Sequence, residues 1–443
     1  MTAFPSNHPY LSLRENARKT MFEELGIDSV SDLESDIPEE LREEFTANRP
    51  PWSESRVLEW HRENASKNRS LDRYACFLGG GVYDHFVPST VMSLMGREEF
   101  LTSYTPYQAE MNQGSLQAMF EFQSMISELM ALPVTNASMY DGATAFAEAV
   151  LMAVAETGRD RVFYSPNLFE SWIQVLKTYA DPLPWQLIKL PTENGSAYFP
   201  DDWGKEPPAA VCLGYPNRWG CADPVTEWSE QKPDPDTVGI AGVNPLAMAL
   251  LTPPGELGFD VSVAEGQPLG LPLSGGAPQL GLFSAKERFL RNMPGRLAGE
   301  TEDRRGNRCF VLTLQTREQH IRRERATSNI CTNHALLTIG VCVFLATMGA
   351  QGLRARARKN HNLGQNLAQN FREQGCSVVG KPIFNEVSIG DSLDPESLEQ
   401  ELEEAQMVGG YQSEDRYVSS VTERRSPSEI EDFTQRVSNH ANR

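Results

Sequence analysis

The chain contains no CxxC pair. Its seven cysteines (Cys76, Cys212, Cys221, Cys309, Cys331, Cys342, Cys376) are scattered and odd in number. That spacing excludes a disulfide framework and suits reduced thiols, packed as small hydrophobes in a cytoplasmic setting. HExxH, Walker A and GxSxG patterns are also missing, and the seven histidines are dispersed, so metal, P-loop and serine-hydrolase chemistry have no support. Positive charge is scarce: 40 Lys and Arg face 60 Asp and Glu, a formal net charge of −20. A nucleic-acid partner needs a basic face and is excluded on that ground. The start, MTAFPSNHPY, has neither the basic nor the apolar region of a secretory signal. Apolar runs are short. The longest, Ala335 to Met348, covers 14 residues and is broken by Thr338, Gly340 and Thr347. A bilayer needs roughly 20, so this reads as a buried helix and no membrane partner is expected.

What is present is an ordinary globular composition, 40% hydrophobic and 23% charged over 443 residues, enough for two or three domains. Residues 1–65 read as an N-terminal helical arm. One helix runs from about Leu13 to Gly26, a second opens at Ser31 with Glu34 completing a capping box, and a third lies near Val57 to Asn64. Residues 66–330 alternate strand-like and helical runs, the pattern of a large α/β domain. Strands are expected near 161–164, 186–189, 210–213, 239–243 and 259–263. Tyr140-Asp141-Gly142-Ala143-Thr144 opens an alanine-rich helix that stops at Gly158. Residues 331–443 read as a helix pair (about 333–348 and 352–373) followed by β-α-β-α. Strands are expected at Ser377–Ile389 and Tyr417–Val421, and Ser426 to Glu429 caps the last helix.

The segment TLQTREQHIRRERATSNICTN (313–333) gathers Arg317, Arg322, Arg323, Arg325 and His320, then ends in Thr327-Ser328-Asn329 before an apolar run. Phe310, Leu312 and Leu314 fall on one face of the strand that leads into it. Arginines followed by hydroxyl and amide donors suit an anion such as a phosphate. The plainer alternative is a solvated loop with Arg–Glu pairs through Glu318 and Glu324.

Five stretches carry a family resemblance: 102–123 (TSYTPYQAEMNQGSLQAMFEFQ), 137–149 (ASMYDGATAFAEA), 214–224 (GYPNRWGCADP), 265–301 and 312–333. Together they resemble the glycine cleavage system P-protein, and within it subunit 1, the alpha chain of the split bacterial form. The resemblance implies a type I pyridoxal-phosphate (PLP) transferase fold: a mixed, mostly parallel sheet between helices, with a helical arm and an α+β C-terminal domain. It implies a complex of two alpha and two beta chains that decarboxylates glycine and passes the aminomethyl group to the lipoyl arm of H-protein.

A type I PLP enzyme needs a lysine to carry the cofactor and an acid facing the pyridine nitrogen. The acid's position, after the strand GIAGV, holds Asn244, and no lysine lies between Lys232 and Lys286. Where the family tends to have His-Pro-Glu, this chain has Phe169-Glu170-Ser171. Phe169 could stack on a ring but cannot move a proton. The chain is therefore expected not to hold PLP covalently, the beta subunit carrying it instead. Thr327 and Ser328 are then expected to hydrogen-bond the phosphate of that neighbour's PLP, with Asn329 fixing the loop. The alternative is that one of them caps a helix beginning near Ile330. Tyr104 and Tyr107, braced by Pro106, are expected to line the glycine site of beta, with Glu110 and Gln113 behind them; the alternative is an aromatic pair packed in the interface. Gly79-Gly80-Gly81 lacks dinucleotide spacing and reads as a close backbone approach. Asp141 to Thr144 stands where type I enzymes cradle phosphate, and could be vestigial. His320 and His334 read as structural. Two further functions stay open: a scaffold that only docks H-protein, and a stand-alone enzyme that recruits Lys286.

Overall fold

In the computed structural model the chain divides into two compact units, Met1–Asn68 and Arg69–Arg443. The residues described are 14–42, 51–101, 105–201, 203–276, 280–314, 317–332, 334–390 and 393–441. In the first unit, α1 (Glu15–Leu25) ends at Gly26 in the left-handed region (φ +66°), as its C′ position requires. The capping box anticipated at Ser31 and Glu34 is displaced. Asp32 Oδ2 accepts from the amides of Asp28 and Ser29, both at 2.8 Å, and a 3-10 turn covers Val30–Glu34. Helix α2 spans Glu54–Ala65 and starts earlier than expected, because Ser53 Oγ accepts from the Arg56 amide.

The second unit is built on seven strands: β1 (Val134–Thr135), β2 (Arg161–Tyr164), β3 (Gln186–Lys189), β4 (Ala210–Tyr215), β5 (Val238–Val243), β6 (Val261–Glu265) and β7 (Gly281–Ala285). Their order is β1-β7-β6-β5-β4-β2-β3, and β7 runs against its neighbours β1 and β6 while the other pairs are parallel. The central strands are apolar at successive positions because both faces are covered. From β4, Val211 and Leu213 pack with Phe122 and Ile126 of α3 (Gln113–Met130). Ala210 and Cys212 pack on the other face with Phe146 of α4 (Gly142–Thr157) and Leu176 of α5 (Glu170–Ala180). Each such large apolar side chain contributes about 1.5–3 kcal/mol by leaving water.

A hairpin of β8 (Leu297–Glu302) and β9 (Arg308–Thr313) lies against α3. Helix α6 (Ala335–Glu373) joins the two helices read from the sequence across Gly349, whose backbone (φ +59°, ψ 175°) is not helical. By length and composition α6 could cross a membrane, but Val341 and Phe344 of its apolar half are fully buried beneath the sheet. The C-terminal sheet has the order β10 (Glu386–Ile389), β12 (Arg416–Ser420), β11 (Tyr411–Ser413), and is covered by α7 (Pro395–Glu404), α8 (Pro427–Ala441) and the end of α6. The strand expected over 377–389 is confined to its last four residues, since Gly380 (φ +55°) and Pro382 break the run. Ser426 N–H donates to Glu429 Oε2 at 2.7 Å, so the last capping box forms where it was read.

The triple-glycine loop docks on this C-terminal sheet. A Cβ on Gly79 would stand 2.6 Å from Glu386 Oε1, and the Gly80 amide donates to that same oxygen at 2.7 Å. His85 Nδ1 meets Glu423 Oε2 at 2.9 Å, and Asp84 pairs with Arg424 and Arg425.

Candidate functional site

Two groups of candidate residues lie in the second unit. The first is the strand-end cleft where a cofactor of this fold would be held. Asn244 follows β5 directly, and its Oδ1 accepts from the amides of Leu246 (3.0 Å) and Ala247 (3.3 Å), so it caps a turn. At the start of α4, Asp141 Oδ1 takes the Thr144 amide at 2.7 Å and Glu265 Oε2 takes the Gly142 amide at 3.1 Å. Two carboxylates thus occupy donors that a phosphate would need. The Trp172 ring fills the adjoining space: a Cβ on Gly142 would lie 2.5 Å from it, and one on Gly242 3.0 Å. Phe169 opens α5 with its ring against Gly81 and Trp172.

Lys286 is not recruited to this cleft. Its Nζ is 2.9 Å from Asp260 Oδ1, a buried carboxylate that also meets Lys232 at 2.9 Å and Arg288 at 3.2 Å. Asp260 precedes β6 whereas Asn244 follows the parallel β5, which puts Lys286 at the opposite ends of the strands from the cleft. These residues do not fit PLP in this chain's own cleft.

The second group is outward-facing. The helix expected near Ile330 begins only at Ala335, with His334 before it, so Thr327 and Ser328 do not cap it. They sit instead in a loop tied to α4 and to the segment that precedes β8. Arg317 is buried and donates from Nε to Thr327 Oγ1 at 3.1 Å, from Nη1 to the Asn292 carbonyl at 3.0 Å, and from Nη2 to Glu148 Oε2 at 3.2 Å and to the Ser328 carbonyl. Burial pulls the Arg317 guanidinium below its ordinary value, while Glu148 opposes the shift. Of the four arginines in the segment, only Arg317 is buried; Arg322, Arg323, Arg325 and His320 are exposed.

The hydroxyls of the loop differ in what they have left to give. Ser328 Oγ donates to Glu148 Oε1, which uses its only proton. Thr327 Oγ1 accepts from Arg317, which leaves its proton free for an exposed acceptor. Among the described residues no acceptor meets the backbone amides of Thr327, Ser328, Asn329 or Ile330. Asn329 Oδ1 accepts from the Gly295 amide at 2.8 Å and anchors the loop.

Tyr107 is 59% exposed and its phenol oxygen accepts from Arg296 Nη2 at 2.6 Å. Tyr104 lies outside the described residues. Gln113 is committed to the hairpin, donating to the Phe310 carbonyl and accepting its amide, both at 2.8 Å; Glu110 is exposed. Glu148 and Arg296 were not singled out in the sequence. Glu148 had a readable signal, a lone carboxylate in the apolar run AFAEAVLMA. Arg296 had none.

The strand order and the packing on both sheet faces define the type I fold of PLP-dependent enzymes. Residues 8–437 match the family model for the glycine cleavage system P-protein. A probable glycine dehydrogenase (decarboxylating) subunit 1 of Listeria innocua is 40% identical over 444 residues, covering 97% of this chain and 98% of that relative. The chain belongs to the glycine cleavage system P-protein family. A crystal structure of an inhibitor-bound glycine decarboxylase (P-protein) of the glycine cleavage system superimposes with a TM-score of 0.89 at 37% identity, covering 98% of this chain and 100% of that one. Sphingosine-1-phosphate lyase of Burkholderia pseudomallei shares the fold at 17% identity (TM-score 0.64, covering 90% and 93%).

Proposed function

We propose that this chain is the lysine-free subunit of a glycine-decarboxylating P-protein, active with a second subunit that carries PLP. Two copies of each form the complex, in the cytoplasm, and lipoylated H-protein receives the aminomethyl group. PLP, when bound by the partner, supplies the electron sink for loss of the glycine carboxylate. This chain contributes an anion loop: the Thr327 hydroxyl and the amides that follow it donate to the neighbour's phosphate, and Asn329 holds the loop. Tyr107, with Tyr104, borders the glycine.

One observation carries the reading. The donors of this chain's own cradle are taken by Asp141 and Glu265, while those from Thr327 to Ile330 meet no acceptor among the described residues, in a loop whose Thr327 and Ser328 are exposed. Mixing the purified chain with subunit 2 and PLP is the test. Glycine–bicarbonate exchange is expected only from the mixture, and Thr327→Ala is expected to weaken PLP retention about tenfold or more, the loss of one hydrogen bond to a charged group. Unchanged PLP affinity in that variant would remove the phosphate assignment.

A further inference from the structure

Gly295 and Arg296 stand where the two outward elements meet. The Gly295 amide holds Asn329, and Arg296 Nη2 donates both to the Cys331 carbonyl at 2.5 Å and to the Tyr107 phenol oxygen at 2.6 Å. The guanidinium lies 4.9 Å from the centroid of the Tyr107 ring, and the residue is 4% exposed. Glu318 forms an ion pair with the guanidinium at 3.7 Å from Nε, outside hydrogen-bond reach, and offsets part of its charge without taking a donor from Tyr107. Gly295 cannot be replaced easily, because its φ is +82° and a Cβ would fall 2.6 Å from Asn136 Nδ2.

This arrangement fixes the polarity of Tyr107. A phenol has one proton to give and can accept. With a cationic donor already on its oxygen, the proton turns away from Arg296 toward the exposed side. A second cationic donor, such as a substrate ammonium, would meet the charge of Arg296; an anionic acceptor would be favoured by it. We infer that Arg296 is a positioning residue that sets Tyr107 as a hydrogen-bond donor to the carboxylate of the substrate, and locks that phenol to the anion loop through Cys331. The inference rests on the reading that this chain completes the site of subunit 2.

The test uses the reconstituted two-chain enzyme and reads the visible absorbance of its cofactor during titration with glycine or with methylamine, which lacks the carboxylate. Arg296→Ala is expected to weaken the glycine response about tenfold and leave the methylamine response within twofold. Tyr107→Phe, which keeps the ring and leaves Arg296 intact, is expected to do the same; it serves as the second variant should Arg296→Ala fold poorly. Equal losses for both ligands, or a loss for neither, would overturn the inference while leaving the Thr327 loop assignment standing. If the wild-type chain leaves the absorbance and activity of subunit 2 unaltered, the parent reading fails and this inference falls with it.

Discussion

Replacing Glu386 by glutamine should make the protein less sensitive to alkaline pH. The carboxyl is 1% exposed at the start of β10, with Oε1 accepting from Gly80 and Oε2 within no hydrogen bond of good geometry among the described residues. Burial pushes it from an ordinary 4.5 up to about 7, against the pull of the Gly80 amide and the nearby Tyr83. The folded state therefore binds this proton more tightly than the unfolded chain. Stability from this group is complete below about pH 4.5, falls as pH rises toward 7, and is level above that. A difference of about 2.5 pH units, at about 1.36 kcal/mol each, is a cost of about 3 kcal/mol at pH 8. Glutamine keeps an acceptor for Gly80 and cannot ionise. Urea unfolding of wild type and Glu386→Gln at pH 4.5 and pH 8, followed by tryptophan fluorescence, isolates the effect, because titrations elsewhere cancel in the difference between the two proteins. The stability of the variant relative to wild type should rise by about 3 kcal/mol between the two pH values. A difference that does not change with pH would refute the argument.

Glu423 should behave in the opposite sense. Burial raises its carboxyl, but His85 and Arg356 outweigh that and hold it well below the usual range, so its stabilisation is present above about pH 4.5 and lost on acidification. Glu423→Gln, which leaves buried His85 and Arg356 without their anion, is expected to cost about 3 kcal/mol at pH 7 by urea unfolding. Ser328→Ala should lower stability by about 1–3 kcal/mol by stripping Glu148 of a donor, yet leave phosphate affinity in the complex near wild type, unlike Thr327→Ala. Gly295→Ala should cost about 1–3 kcal/mol in the same unfolding assay.

Much of the architecture was legible because its signals are local. Gly26 and Gly158 end their helices, Ser426 and Glu429 cap the last one, and the apolar strands around Ala210 and Val238 announce a sheet covered on both faces. The chemistry of Thr327, Ser328 and Asn329 singled them out, and their service as an anion loop is our proposal. What remained hidden depends on long-range contacts. Nothing near Ser328 in sequence says that Glu148 takes its proton, or that Arg296 reaches Tyr107. The helix start moved from Ile330 to Ala335 because Cys331 is spent on Tyr140 and Arg296. Lys286 stayed open in sequence as a recruited lysine, and in the structure it shares Asp260 with two other cations.

The Trp172 indole, seated between Gly142 and Gly242, has a consequence for any attempt to convert this chain into a self-sufficient enzyme. A lysine installed after β6 would find the ring space occupied and the helix-start amides spoken for by Asp141 and Glu265. Trimming the indole alone leaves a void in the core at a cost of about 3–5 kcal/mol, and adding side chains at the two glycines first produces a clash. No single substitution moves the cleft toward cofactor binding without loss, so packing as well as chemistry keeps this cleft closed to the cofactor.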